Sequence, residues 1–283
     1  MSERAKVTVQ RLQEMKQQGD KITMITAYDY PTGVLVDRAG IDIVLVGDSL
    51  GMTILGWDTT LPVTMEDMIP HTRAVTRGCK TGFVLGDMPY MSYQPSVADA
   101  VRNAGRFMAE AGADGIKLEG GMAMADRVEA IVKSGIPAMG HLGLTPQSMS
   151  ALGGFRAQAR GAAAAQRLWE DVKALEAAGA FAVLLECVPT KVAGIVARKA
   201  SIPIIGIGAG IECDGQCLIF HDVFGLYPKF TPKFAKIYAN VGEVILNGLY
   251  QYIEEVKQGA FPEPKHSFVI SEAEFRQFEE LIE

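Results

Sequence analysis

Short runs rich in isoleucine and valine alternate with longer amphipathic stretches from near the N-terminus to about residue 240, and this alternation restricts the fold more than any other feature. Near-continuous hydrophobicity in a short run marks a strand covered on both faces, which is how parallel sheets of repeated βα units are built. Eight such runs can be read: 22–28, 41–49, 82–89, 115–121, 137–143, 181–188, 203–210 and 217–225. Helical periodicity lies between them at 31–40, 64–77, 96–111, 123–134, 164–178 and 189–200, with a C-terminal pair at 234–257 and 271–282. The gap before the eighth run is short, so the seventh helix is expected to be truncated or distorted. In RAG-IDIV, EAGADG-IKL and EAAGA-FAV a glycine stands where a helix stops before a strand, as a left-handed C-cap requires. A closed barrel and a doubly wound sheet both fit covered strands; eight units favour the (β/α)8 barrel.

At 283 residues the chain has the length of one barrel domain, residues 1–283, with an N-terminal helix and a C-terminal helical extension. Its net charge of −6 and its lack of a Lys/Arg run argue against nucleic acid as a partner. The polar, periodic N-terminus does not read as a signal peptide, and the longest apolar stretches fall well short of the ~20 residues that span a bilayer. No membrane association and a cytoplasmic location are therefore expected. Cys79, Cys187, Cys213 and Cys217 read as reduced thiols, since C-x3-C-x3-H at 213–221 is not a zinc spacing.

In a barrel the active site gathers at the carboxyl ends of the strands. Those ends carry Asp48 and Ser49 on the second run, Asp87 on the third, Lys117 and Glu119 on the fourth, His141 on the fifth and Glu186 on the sixth. One polar residue at a strand end is commonly a turn or a cap, but five successive strands repeating it at the same end point to a site. Asp48, Asp87 and Glu119 on neighbouring strands converge, and like charges so placed need protons or a cation. All-oxygen ligation suits Mg²⁺, or Co²⁺ or Mn²⁺ in its place, with open positions for a chelating 2-oxo acid. Glu186, after the apolar run FAVLL, reads as a general base or as half of a structural ion pair. Lys117 shares a strand face with Glu119 and either binds an oxyanion or neutralises an acid. His141 is either a donor in the site or a satisfied strand-end histidine.

The connection 144–161, LTPQSMSALGGFRAQARG, is long enough to be a lid. The glycines of GIGAG at 206–210 read as room for a substrate or cofactor to approach the backbone, and Asp214-Gly215 as a turn.

These residues lie in longer blocks: TAYDY at 26–30, LVGDSLGM at 45–52, TLPVT at 60–64, GDMP at 86–89, KLEGG at 117–121, GHLGLTPQS at 140–148, LLECVP at 184–189, IPIIGIGAG at 202–210, DGQ at 214–216, PKFAK at 232–236 and HSF at 266–268. In this order they resemble the ketopantoate hydroxymethyltransferase family, over nearly the whole chain. The resemblance implies a (β/α)8 barrel of the phosphoenolpyruvate/pyruvate-binding type, one Mg²⁺ per subunit, and a homodecamer. It also implies a first step of pantothenate and coenzyme A biosynthesis, in which 5,10-methylenetetrahydrofolate, 3-methyl-2-oxobutanoate and water give 2-dehydropantoate and tetrahydrofolate. In that family Asp48 and Asp87 would ligate the metal, with Glu119 directly or through water. Asp48, Ser49, Asp87 and Lys117 would bind the oxo acid and Glu186 would accept the proton; the strand-end reading, not the resemblance, adds His141 as a candidate substrate-binding donor. The loop GGFRAQAR at 153–160 departs from the family's usual pattern, and the residues after His266 extend beyond shorter members.

Overall fold

The computed structural model describes residues 4–154 and 156–283; Phe155, inside the loop read as a lid, lies outside the described residues. Eight parallel strands, β1 Ile22–Thr26, β2 Ile43–Val46, β3 Phe83–Asp87, β4 Gly115–Glu119, β5 Ala138–Gly143, β6 Ala182–Glu186, β7 Ile204–Ile207 and β8 Gly215–Leu218, close into a barrel. Each strand pairs with its successor in sequence, and β8 returns to β1 with Cys217 opposite Met24. The helices are α1 Val9–Gln18, α2 Tyr30–Ala39, α3 Leu50–Thr53, α4 Met65–Gly78, α5 Val97–Ala111, α6 Ala125–Lys133, α7 Met149–Leu152, α8 Ala162–Ala177, α9 Thr190–Lys199, α10 Phe220–Val223, α11 Val241–Gln258 and α12 Glu272–Ile282.

Local chemistry sets these boundaries. Asp29, Thr64 and Ser96 accept backbone N–H bonds at the starts of α2, α4 and α5, and Thr64 forms a reciprocal capping box with Asp67. Gly40 and Gly112 end α2 and α5 in the left-handed region, at φ 84° and 70°, as their place before a strand implies.

Two apolar cores follow from the two-residue side-chain period of the strands. Outward residues such as Val44, Val84, Ile116, Leu118 and Val183 pack beneath the helices, among them Phe107 of α5 and Leu175 of α8. Inward residues, including Met24, Ile43, Leu85, Met139, Leu184 and Ile205, fill the lumen. Leu12 and Met15 of α1 pack into this inner core, closing the barrel at the amino ends of its strands, and Lys16 Nζ pairs with Asp214 Oδ2 at 2.7 Å.

The eighth strand differs from its sequence reading. The run 217–225 supplies only the end of β8, and Phe220–Val223 turns into α10. The backbone N–H of Phe220 donates to Thr26 Oγ1 at 3.0 Å, so the last side chain of β1 takes the donor that would have extended the ladder. Gly215 leads the strand because a Cβ there would strike the Ile22 carbonyl. No helix separates β7 from β8 among the described residues, so the truncation expected of the seventh helix is complete.

The chain forms two compact units. The first is the barrel to Val223 together with Tyr227–Lys236; the second is Phe224–Leu226 with Ile237–Glu283, carrying α11 and α12. Helix α11 begins at Val241, seven residues later than its sequence pattern suggests. No helix among the described residues is long and apolar enough to cross a membrane. All four cysteines are free thiols.

Candidate active site

The inward ladder that fills the lumen with apolar side chains changes character at its last rung. Asp87 closes β3, Lys117 and Glu119 share the inward face of β4, His141 follows Met139 on β5, and Glu186 closes β6. Strand register sets them side by side, with Asp87 opposite Lys117 and Glu119 opposite His141. Asp48 and Ser49 complete the set from the turn between β2 and α3. All the residues singled out in the sequence are thus brought to one end of the barrel. They line a cavity of about 820 Å³, within the usual range for ligand sites.

The ammonium of Lys117 is central. It lies 2.8 Å from Asp87 Oδ1, 3.2 Å from His141 Nδ1 and 3.9 Å from Glu119 Oε1. Burial works against its charge, but Asp87, Glu119 and Asp48 outweigh burial and hold its pKa above the ordinary lysine value. His141 Nδ1 can only accept from an ammonium, so the ring proton sits on Nε2, 3.1 Å from Glu186 Oε2. Burial, and then the positive charge of Lys117, lower the His141 pKa and keep the imidazole neutral.

The acids are held against repulsion by a residue that strand-end reasoning missed. Gln147, in the turn Pro146–Ser148 after β5, donates from Nε2 to Asp48 Oδ2 and to the Met88 carbonyl, both at 2.9 Å. Its backbone N–H donates to Glu119 Oε2 at 3.0 Å. Its Oε1 accepts from the Tyr93 hydroxyl at 2.8 Å and from Gln94 Nε2 at 2.9 Å. The Asp48 N–H donates to Asp87 Oδ2 at 3.0 Å. Ser49 Oγ bonds the hydroxyl of buried Tyr28 at 2.8 Å. The beginning of the segment read as a lid is therefore fixed in the floor of the site, and Arg156 and Ala157 further along it form cavity wall. A glutamine close behind a strand end was the only sequence signal for Gln147.

Burial raises the carboxyl pKa values of Asp48 and Asp87, with mutual repulsion adding to it, and pushes Glu119 up to about 7. Among the described residues no three His, Cys, Asp or Glu side chains form a closed metal cage. Lys117 stands among the carboxylates and Gln147 takes one oxygen each of Asp48 and Glu119, which keeps the acids from collapsing onto a common centre. Yet Asp87 Oδ1 is buried and off hydrogen-bond geometry, an orphaned hard donor beside more acids than one lysine neutralises. That donor set fits a hard divalent ion held through one or two carboxylates with its other positions open.

The GIGAG glycines make room for protein side chains, and Gly208 also lines the cavity. Gly208, at φ 66°, lies where a Cβ would strike the Phe234 ring, and Gly210 is packed against Thr190. Asp214 is a cap as well as a turn: its Oδ2 accepts from the Ile204 N–H at 2.8 Å and pairs with Lys16.

Comparison with known proteins agrees with this geometry. The profile of a family described as ketopantoate hydroxymethyltransferase matches residues 6–264. A relative from Carboxydothermus hydrogenoformans, called 3-methyl-2-oxobutanoate hydroxymethyltransferase, is 54% identical over 266 residues, covering 94% of this chain and 96% of the relative. Among solved structures, a 2,3-dimethylmalate lyase described as a PEP mutase/isocitrate lyase superfamily member superposes with a TM-score of 0.59 at 14% identity over 92% of each chain. A phosphonopyruvate hydrolase in complex with oxalate and Mg²⁺ gives 0.58 at 13% identity, over 98% of this chain and 96% of that one. The two structures share the barrel, and the sequence matches carry more. The chain belongs to the ketopantoate hydroxymethyltransferase family of enzymes.

Proposed function

We propose that this enzyme transfers a hydroxymethyl group from 5,10-methylenetetrahydrofolate to 3-methyl-2-oxobutanoate, consuming water and giving 2-dehydropantoate and tetrahydrofolate. The observation that carries the reading is the Asp87–Lys117–His141–Glu186 chain of side chains, which places a carboxylate in the cavity wall behind an oriented neutral imidazole. Glu186 accepts the C3 proton of the oxo acid. His141 Nε2–H stands beside that carboxylate, 3.1 Å from Oε2, and Lys117 faces the oxygens on which negative charge develops. Ser49 and Asp48 hold the oxo acid at the other wall. Asp48 and Asp87, with Glu119 beside them, would hold Mg²⁺, or Co²⁺ or Mn²⁺, which as a Lewis acid favours loss of the proton next to the keto group.

The same reading includes self-association, up to a homodecamer, in the cytoplasm. The large apolar side chains exposed along α11, Ile245, Leu249, Tyr252, Ile253 and Val256 among them, support an association surface of that kind.

The experiment that tests the reading follows the C3 proton of 3-methyl-2-oxobutanoate by NMR in deuterium oxide, with and without Mg²⁺, then after addition of tetrahydrofolate and formaldehyde. Metal-dependent loss of the signal, followed by 2-dehydropantoate only when folate is present, is the expected result. Absence of exchange under every metal would overturn the substrate assignment.

A further inference from the structure

The cavity is several times larger than a five-carbon oxo acid, and the ionisable cluster occupies only its floor. A buried acid on the wall has no part in that cluster. Asp222 lies in α10, the helical turn just past β8, with 6% of its surface exposed, and it lines the cavity. Its backbone N–H donates to the Ile219 carbonyl at 3.1 Å, while among the described residues its carboxylate makes no hydrogen bond or ion pair. Burial pushes its pKa up to about 6, as expected of an acid that lacks a compensating cation. A carboxylate that lines a cavity without a protein partner is left there for water or a ligand to satisfy. The same cavity is lined by the aromatic side chains of Tyr227, Phe230 and Phe234, and Phe230 is 63% exposed. Arg156 and Lys233 also line the cavity and add positive charge, opposite in sign to the acids.

We propose that this outer half of the cavity is the subsite for the reduced pterin co-substrate, in which the Asp222 carboxylate accepts both N–H groups of the pterin's 2-amino and N3–H edge. The inference rests on the folate reading given above. A 2-amino-4-oxopteridine presents those two donors side by side, and a carboxylate matches them with two parallel hydrogen bonds. The benzoyl ring lies against Tyr227, Phe230 and Phe234, and the anionic glutamyl tail meets Arg156 and Lys233.

Calorimetric titration of the wild-type protein, Asp222→Asn and Asp222→Ala with tetrahydrofolate and with its 2-desamino-2-methyl analogue tests this. Wild type is expected to bind tetrahydrofolate about ten-fold tighter than the analogue; both variants lose about ten-fold for tetrahydrofolate and no longer discriminate between the two. Equal loss for both ligands would mean that Asp222 only supports the wall, and that overturns the inference. So would variants that bind tetrahydrofolate as wild type does. If the wild type binds no tetrahydrofolate, the co-substrate reading itself falls and the inference falls with it.

Discussion

Nε2 of His141 lies 3.1 Å from Oε2 of Glu186, while Nδ1 of the same ring faces the Lys117 ammonium at 3.2 Å. The lysine fixes the tautomer and leaves the ring proton on Nε2, the nitrogen beside the carboxylate but off hydrogen-bond geometry to it. Glu186→Gln keeps the shape and removes the acceptor, so it is expected to lower C3 proton exchange by about 10²- to 10⁴-fold with little change in oxo-acid affinity. His141→Asn leaves Glu186 in place but takes away its orienting partner, and a smaller loss of about ten-fold is expected. Exchange rates from NMR check both; equal losses in the two variants would contradict the division of roles.

Gln147 ties together acids that belong to different strands, bonding Asp48 through its side chain and Glu119 through its backbone. Gln147→Leu preserves the size of the side chain and the backbone bond, but leaves Asp48 Oδ2 without its amide donor in a buried site. A loss of about 1 to 3 kcal/mol in unfolding free energy is expected, together with weaker oxo-acid binding. Urea unfolding and calorimetry read the two separately. Wild-type values in both would show that the clamp is dispensable.

The polar ring was legible in the sequence because strand ends announce themselves: Asp48, Asp87, Lys117, Glu119, His141 and Glu186 each stand near the end of a short, near-continuous apolar run. Gln147 and Tyr93, which bond to the acid cluster, and Asp222, which lines the cavity, were not, because they come from turns and short helices whose direction depends on the closed barrel. The eighth strand was misplaced for a related reason. Ile219, Phe220 and Val223 look like strand, and the Thr26 hydroxyl across the closure ends the ladder at Leu218. Glycine signals close approach without naming the approaching group: at Gly208 and Gly210 of GIGAG it includes Phe234 and Thr190, while Gly208 also lines the cavity.

Asp87 is bonded to the Asp48 backbone through Oδ2 and presents Oδ1 beside Lys117 without hydrogen-bond geometry. Asp87→Asn keeps the backbone acceptor and lowers the charge at the free position. Mg²⁺ affinity is expected to fall about ten- to 100-fold, read by calorimetry, with the thermal midpoint of the metal-free protein little changed or raised, since a buried carboxyl of raised pKa is itself costly. Unaltered Mg²⁺ affinity would remove Asp87 from the ligand set.

Far from the cavity, Asp37 gives a test with a definite pH signature. Burial pushes its carboxyl pKa upward, but bonds from the Thr81 N–H at 2.7 Å, the Gly82 N–H at 3.0 Å and the Thr81 hydroxyl at 2.8 Å win, and the folded-state value lies below the ordinary one. A depressed folded pKa means that the stabilisation is fully present above the unfolded value, about 4, and drains away as pH falls below it. Asp37→Ala is therefore expected to destabilise the protein by about 2 to 3 kcal/mol at pH 7, because buried backbone donors lose their acceptor. The difference from wild type should stay level between pH 8 and pH 5 and narrow below pH 4, as protons neutralise the wild-type carboxylate. Urea unfolding of both proteins across that range measures it. A difference that widens on acidification would reverse the sign and show that burial, not the Thr81 and Gly82 bonds, dominates this carboxyl.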